Sequence, residues 1–248
     1  MSGRFRRATG NRPLVLGHRG APHAAPENTL RSFELARSEG ADGVEFDVRL
    51  DGSGEVVVIH DRTLTRVTSR HSRARVDQLS TAELRAFDVG HGERVPLLEE
   101  VLDWSNTHDL CVNIELKSDS ASRRALVRGV VACVRAAHEL RGRCLLSSFD
   151  PLAVRALARA LPELPVAWLI HDEQRLFKWG VGRRLLGAAG INAQHTLLSP
   201  ASMRRWKRGG GLVNTWTVND PARAVEFAAL GVDAIISDVP GQILSALI

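Results

Sequence analysis

Alternation is what most restricts how this chain folds. Short runs rich in Val, Ile and Leu, each followed by an amphipathic stretch of helical period, repeat almost from end to end. The strand candidates are 14–17, 43–48, 56–60, 112–116, 145–149, 166–170, 191–194, 212–218 and 234–237. Several are apolar at nearly every position, as expected of strands covered on both faces by helices. Such alternation over about 235 residues predicts an α/β fold with a parallel sheet and crossover connections, open or closed. The 248 residues lie close to the roughly 250 typical of one closed barrel of this kind. Nine candidates exceed the eight that such a barrel needs, and the join over 49–55 is too short for a helical crossover. One of them is therefore a hairpin arm or an addition.

Helix starts are marked by their caps. Asn28 is placed to cap a helix with Leu30, Phe33 and Ala36 on one face, ending before Gly40. Ser80 followed three residues later by Glu83 resembles a capping box. Asp150-Pro151 and Asp220-Pro221 pair a capping carboxylate with proline at the first helical position. The segment 62–96 breaks the rhythm and is rich in Arg, Thr, Ser and Asp. It reads either as a small cap over a site or as a plain surface loop. The expected organisation is one domain over 12–248 carrying this insert, after a flexible stretch at 1–11.

Composition narrows the function classes. No run approaches the ~18 uninterrupted apolar residues of a membrane span, and the basic opening residues lack the apolar core of a secretory signal. Three cysteines without CxxC spacing argue against a disulfide framework, so a reducing, cytoplasmic location is expected. A net charge of +5 invites a nucleic-acid reading. Yet the basic residues are scattered arginines with only three lysines, no tyrosine is present, and aromatics do not interleave with them. Solvated faces with a mild attraction for anions explain the charge more simply.

Polar residues collect where strand candidates end, the end at which barrels of this class carry their sites. His18-Arg19, taken alone, reads as structural or solvated. Glu45, Asp47 and Arg49 alternate with Val44, Phe46 and Val48 and so share one face of their strand. Two carboxylates about 7 Å apart in a buried strand repel unless a cation or a proton lies between them, although pairing with arginine is the plainer alternative. His60 ends an apolar run, where a histidine is often a satisfied core residue. Glu115 and Lys117 again share a face and suit each other as a pair. Taken together, these pieces are expected to converge on one pocket mouth. Oxygen ligands from Glu45, Asp47 and Glu115 suit one hard divalent cation, Mg²⁺ or Ca²⁺, with Mn²⁺ also admissible. Arg19 and Lys117 are left to hold a phosphate, while two imidazoles supply an acid and a base. Phosphodiester cleavage is the chemistry this equipment serves.

The same residues carry a resemblance. The matching pieces are His18-Arg19-Gly20 with Pro26-Glu27-Asn28-Thr29, Glu45-Phe46-Asp47-Val48, and His60-Asp61 with Leu64 and Arg66. Pro96 to Leu102, Glu115-Leu116-Lys117, Ser148-Phe149-Asp150, Trp216 to Asp220 and Ile235 to Asp238 follow in order. From about residue 14 to 240 the chain resembles the glycerophosphodiester phosphodiesterase family. The resemblance implies a TIM (β/α)8-type barrel with a short insert after the third strand. It also implies metal-dependent hydrolysis of a glycerophosphodiester to glycerol 3-phosphate and an alcohol.

By matching positions, His18 and His60 carry over as the acid/base pair, and Glu45, Asp47 and Glu115 as ligands of one divalent cation. Arg19 and Lys117 become phosphate contacts. Trp216 becomes a ring against the glycerol, with a place in the barrel core as its alternative. Glu27 and Asn28 support Arg19 and the metal side, and His195 sits where the family often has a histidine. Ser237 replaces the more usual threonine, and the short insert leaves the identity of the alcohol open. A lysophospholipase D-like or phospholipase C-like enzyme acting on lipid head groups is a rival reading. The polar, arginine-rich 62–96 favours soluble substrates over it, because a lipid interface calls for an apolar rim. A non-catalytic binder of phosphate esters or nucleic acid would be expected to lack one of these histidines or carboxylates, and all are present. The partner expected is thus a small-molecule diester, with no nucleic acid and no stable membrane anchor.

Overall fold

The computed structural model describes residues 3–8, 10–117, 119, 122–174 and 182–248. Strand β1 (Leu14–His18) is followed by helix α1 (Leu30–Ser38) and by β2 (Gly43–Leu50), which lies parallel to β1 with His18 opposite Glu45. The short strand β3 (Val56–Val58) then runs antiparallel to β2, with Val48 opposite Val58. The turn between them explains the change of direction: the Asp51 carboxylate accepts from Ser53 N and Glu55 N, both at 2.9 Å, and Gly54 takes φ 91°. The surplus strand candidate is thus a hairpin arm outside the ring.

The remaining elements alternate as the hydrophobic pattern predicts. Helices α2 (Thr81–Ala86) and α3 (Leu98–Thr107) precede β4 (Cys111–Leu116); α4 (Arg123–Ala136) leads to β5 (Cys144–Ser148), and α5 (Pro151–Ala160) to β6 (Val166–Ile170). Next come β7 (Gly190–Gln194), α6 (Pro200–Lys207), β8 (Leu212–Trp216), α7 (Pro221–Leu230), β9 (Ala234–Ser237) and α8 (Pro240–Leu247). Strand β4 pairs with β2, each later strand is parallel to its predecessor, and β9 returns to β1. Eight parallel strands therefore close into a TIM-type barrel, with β3 added at its edge.

Outward-facing Val44, Phe46 and Val48 pack against the helices, with Phe46 and Phe33 of α1 5.6 Å apart between ring centres. Asp150 and Asp220 cap α5 and α7 ahead of their prolines, and Ser80 with Glu83 forms the capping box of α2. The cap of α1 is Thr29 rather than Asn28: the Thr29 hydroxyl accepts from Ser32 N at 3.2 Å. Asn28 instead adopts a left-handed φ of 57°, which turns its amide toward β2.

Two segments outside the regular alternation are held by apolar anchors. The excursion 62–96 has its own small core, in which Leu64, Val76, Leu84, Val89 and Val95 pack on Val57 and Ile59. Within the stretch 1–11, described residues make both apolar and polar contacts with the barrel. Phe5 is fully buried among Leu16, Cys111, Leu145, Ala167, Leu212 and Ala234, closing the end of the barrel where the strands begin. Arg4 pairs with Asp109 at 2.6 Å, and Arg7 Nη1 donates to the Ala228 carbonyl at 2.6 Å. The sequence showed the basic flanks but not the apolar seat, which is assembled from strands far apart in the chain. Among the described residues, no helix is long and apolar enough to cross a membrane.

Candidate active site

At the opposite end, where the strands finish, β2 turns Glu45 and Asp47 into the barrel and β4 adds Glu115. All three carboxylates are buried, and one oxygen from each lies within 4.8 Å of the others. Lys117 Nζ bonds Glu115 Oε1 at 2.7 Å and Asp47 Oδ1 at 3.3 Å. Arg19 Nε lies 3.1 Å from Asp47 Oδ2, an ion-pair distance without hydrogen-bond alignment. Asn28 Nδ2 donates to the same oxygen at 3.0 Å.

These contacts do not neutralise the carboxylates evenly. Asp47 is desolvated, but the fields of Lys117 and Arg19 outweigh burial and hold its pKa well below the usual carboxylate range. Glu45 is pushed up to about 8 by burial and then by the charge of Asp47. Burial also raises Glu115, against the opposing charge of Lys117. Three buried carboxylates this close together form an all-oxygen set of the kind that suits a hard divalent ion.

The first strand end supplies His18 and Arg19. Arg19 has a left-handed φ of 55°, fixed by Arg19 N donating to the Glu45 carbonyl at 2.7 Å and by Asn28 N donating to the Arg19 carbonyl at 3.0 Å. Gly20 follows at φ 92°, and a Cβ there would stand 2.3 Å from Ser32 Oγ, so only glycine fits this turn. The turn aims Arg19 at Asp47 and at Glu27, whose Oε1 accepts from Arg19 Nη1 at 3.0 Å.

Both histidines have a carboxylate on Nδ1: Asp238 Oδ1 for His18 and Asp61 Oδ1 for His60, each at 2.6 Å. Nε2 of each is therefore the nitrogen left for chemistry. Burial alone would lower His18, but the hydrogen bond to Asp238 and the charge of Glu45 raise its pKa. Burial likewise depresses His60; Asp47 opposes it, and Lys117 and Arg19 add to the lowering, so its pKa falls. The two rings line one cavity of about 210 Å³ together with Arg19, Glu45, Glu115 and Lys117. Its apolar wall is formed by Phe149, Leu169, Trp216 and Ile236. Trp216 Nε1 donates to the Asn192 carbonyl at 3.1 Å, and the ring meets Phe149 edge to face at 5.6 Å.

The structure thus brings together His18, Arg19, Glu27, Asn28, Glu45, Asp47, His60, Glu115, Lys117 and Trp216. His195 does not join them: it follows β7 and packs 6.4 Å from the Phe227 ring on α7. Four polar residues to which the sequence reading gave no role also belong here. They are Asp61 and Asp238 on the histidines, Asn219 on Asp238, and Arg49, whose Nε holds the His60 carbonyl at 2.7 Å. A carboxylate directly after His60 was the one local signal available for any of them.

The profile of the glycerophosphoryl diester phosphodiesterase family matches residues 18–242. The chain belongs to this family. It is 29% identical over 239 residues to a glycerophosphodiester phosphodiesterase of Caldanaerobacter subterraneus, covering 94% of this chain and 96% of that one. A glycerophosphodiester phosphodiesterase of Bacillus altitudinis is 30% identical over 244 residues, covering 92% of this chain and 95% of its own length. Among solved structures, an Oleispira antarctica phosphodiesterase in complex with the product sn-glycerol-3-phosphate superposes with a TM-score of 0.84 at 27% identity. That match covers 95% of this chain and 97% of the other. As a member of the family, the chain is an enzyme, a phosphoric diester hydrolase acting on glycerophosphodiesters.

Proposed function

We propose that the enzyme hydrolyses soluble glycerophosphodiesters to glycerol 3-phosphate and an alcohol by two-histidine acid/base catalysis, with one divalent cation held by Glu45, Asp47 and Glu115. The observation that carries this reading is the meeting of His18, His60, Arg19, Lys117, Glu45 and Glu115 around one cavity, with Asp47 buried beside the two glutamates. Three buried carboxylates, each with an oxygen within 4.8 Å of the others, are the all-oxygen set that fits such a cation. When bound, such an ion supplies Lewis-acid polarisation of a phosphoryl oxygen.

The remaining work falls to side chains. Arg19 and Lys117 hold phosphate oxygens as charged donors. Phe149 and Trp216 wall the glycerol portion. His60, whose pKa is lowered, takes the proton of the nucleophile, and His18, whose pKa is raised, protonates the departing alkoxide. A water nucleophile gives glycerol 3-phosphate directly; the glycerol 2-hydroxyl gives a cyclic phosphate, which water then opens with the two histidines exchanging roles. Two buried thiols, Cys111 and Cys144, accord with a reducing, cytoplasmic setting.

Release of glycerol 3-phosphate from glycerophosphocholine, with chelator and then with Mg²⁺, Ca²⁺ or Mn²⁺ restored, tests the reading. Turnover that vanishes with chelator and returns with the ion is expected. Turnover indifferent to chelator removes the cation, and faster cleavage of lysophosphatidylcholine than of glycerophosphocholine replaces the soluble substrate with a lipid one.

A further inference from the structure

One guanidinium from the excursion 62–96 reaches both halves of the site. Arg66 Nε donates to Asp61 Oδ2 at 2.8 Å, and the other oxygen of that carboxylate holds His60 Nδ1. The far edge of the same guanidinium bonds Glu27, with Nη2 on Oε1 at 3.0 Å and Nη1 on Oε2. Glu27 Oε1 in turn holds Arg19 Nη1 at 3.0 Å. His60, Asp61, Arg66, Glu27 and Arg19 therefore form one uninterrupted run of charged hydrogen bonds across the mouth of the barrel.

Arg66 is well placed to anchor that run. It sits on a turn secured by fully buried Leu64, whose N–H donates to the Ala74 carbonyl at 3.0 Å and whose carbonyl accepts from Thr68 N at 3.0 Å. A guanidinium is planar and presents its donors in a rigid fork, so two carboxylates bound to its two edges cannot move independently. A lysine ammonium at the end of a flexible stem has no such span.

We propose that Arg66 is a positioning residue that ties His60 to Arg19, so that the proton acceptor and the phosphate contact keep a fixed relation to each other. This rests on the roles given to His60 and Arg19 under Proposed function. It assigns to the excursion a part in the reaction: the insert carries the brace between the two.

The test uses the full chain with its divalent ion, with glycerophosphocholine as substrate. Arg66→Ala is expected to lower kcat/KM about 10- to 100-fold, the range for residues that orient first ligands, with kcat falling and KM rising together. Asp61→Asn should act mainly on kcat and Glu27→Gln mainly on KM. Arg66→Lys should recover one of the two parameters but not both. Calorimetric binding of glycerol 3-phosphate should weaken in Arg66→Ala and Glu27→Gln and stay unchanged in Asp61→Asn, which reads the Arg19 end without turnover.

Wild-type kcat and KM in Arg66→Ala, full recovery of both in Arg66→Lys, or a loss that follows only the fraction of folded protein at unchanged KM and product affinity would each overturn the proposal. His60→Ala and Arg19→Ala separate it from the reading beneath. If either retains normal turnover, that reading fails first; if both are inactive while Arg66→Ala behaves as wild type, the brace alone is wrong.

Discussion

His18 Nδ1 and Asp238 Oδ1 stand 2.6 Å apart although 220 positions separate the two residues in the chain. The second oxygen of Asp238 accepts from Asn219 Nδ2 at 2.6 Å, so the carboxylate is held from both sides. Such a partner fixes the imidazole tautomer and supports its protonated form. Asp238→Asn is expected to cost on the order of 10²-fold in kcat, approaching the loss from removing an acid or base outright. Steady-state rates on glycerophosphocholine, with KM near the wild-type value, are the check.

If His18 is the acid and His60 the base, as proposed, the two variants should respond differently to the leaving group. On a glycerol phosphodiester with a good leaving group, such as p-nitrophenol, His18→Ala should lose far less activity than on the choline ester, because the departing oxyanion needs no proton. His60→Ala should lose about 10²-fold or more on both substrates. Equal losses for the two variants on both substrates would withdraw the assignment of acid and base.

Glu45 makes metal-free stability fall as pH rises. Its carboxyl, raised from 4.5 to about 8, keeps a proton in the folded protein that the unfolded chain gives up near 4.5. Between those values the native state binds more protons than the unfolded state, so stability declines toward pH 8. A bound divalent cation favours the ionised form and releases that proton, which flattens the slope. Thermal unfolding at pH 6, 7 and 8, in chelator and in excess Mg²⁺ or Ca²⁺, reads this directly. A slope of the same steepness with and without the ion would count against the three-carboxylate site.

Phe5 lies at the far end of the barrel from the site. Phe5→Ala removes a fully buried ring and is expected to lower folding stability by up to about 3–5 kcal/mol, measured by urea unfolding. At 25 °C, kcat and KM should stay close to wild type. A variant with unaltered stability would mean that the ring's seat contributes nothing to folding.

How far the chain announced itself differs between fold and site. The alternation of β-type runs with capped helices was enough for the barrel, because each strand's burial on both faces is written in its own residues. The same held for Glu45 and Asp47, whose period-two spacing puts them on one face whatever surrounds them. It failed at Asn28, where the preference of Asn for caps competed with Thr29 one position on. Thr29 won, because the left-handed turn at Asn28 commits its amide to Asp47. It was silent about the burial of Phe5, since a lone Phe among arginines carries no periodic signal. Its seat exists only once six strands have assembled their lower ends.

Residue order alone, then, settled the alternating architecture and nominated the groups proposed for the chemistry, since propensity, period and side-chain type are properties of short stretches. The folded state decided which carboxylate each imidazole leans on, which way each proton equilibrium moves and what Arg66 spans. Those outcomes depend on desolvation and on charges a few ångströms away in space. Their neighbours come from distant parts of the chain, and closing the barrel is what brings them into contact.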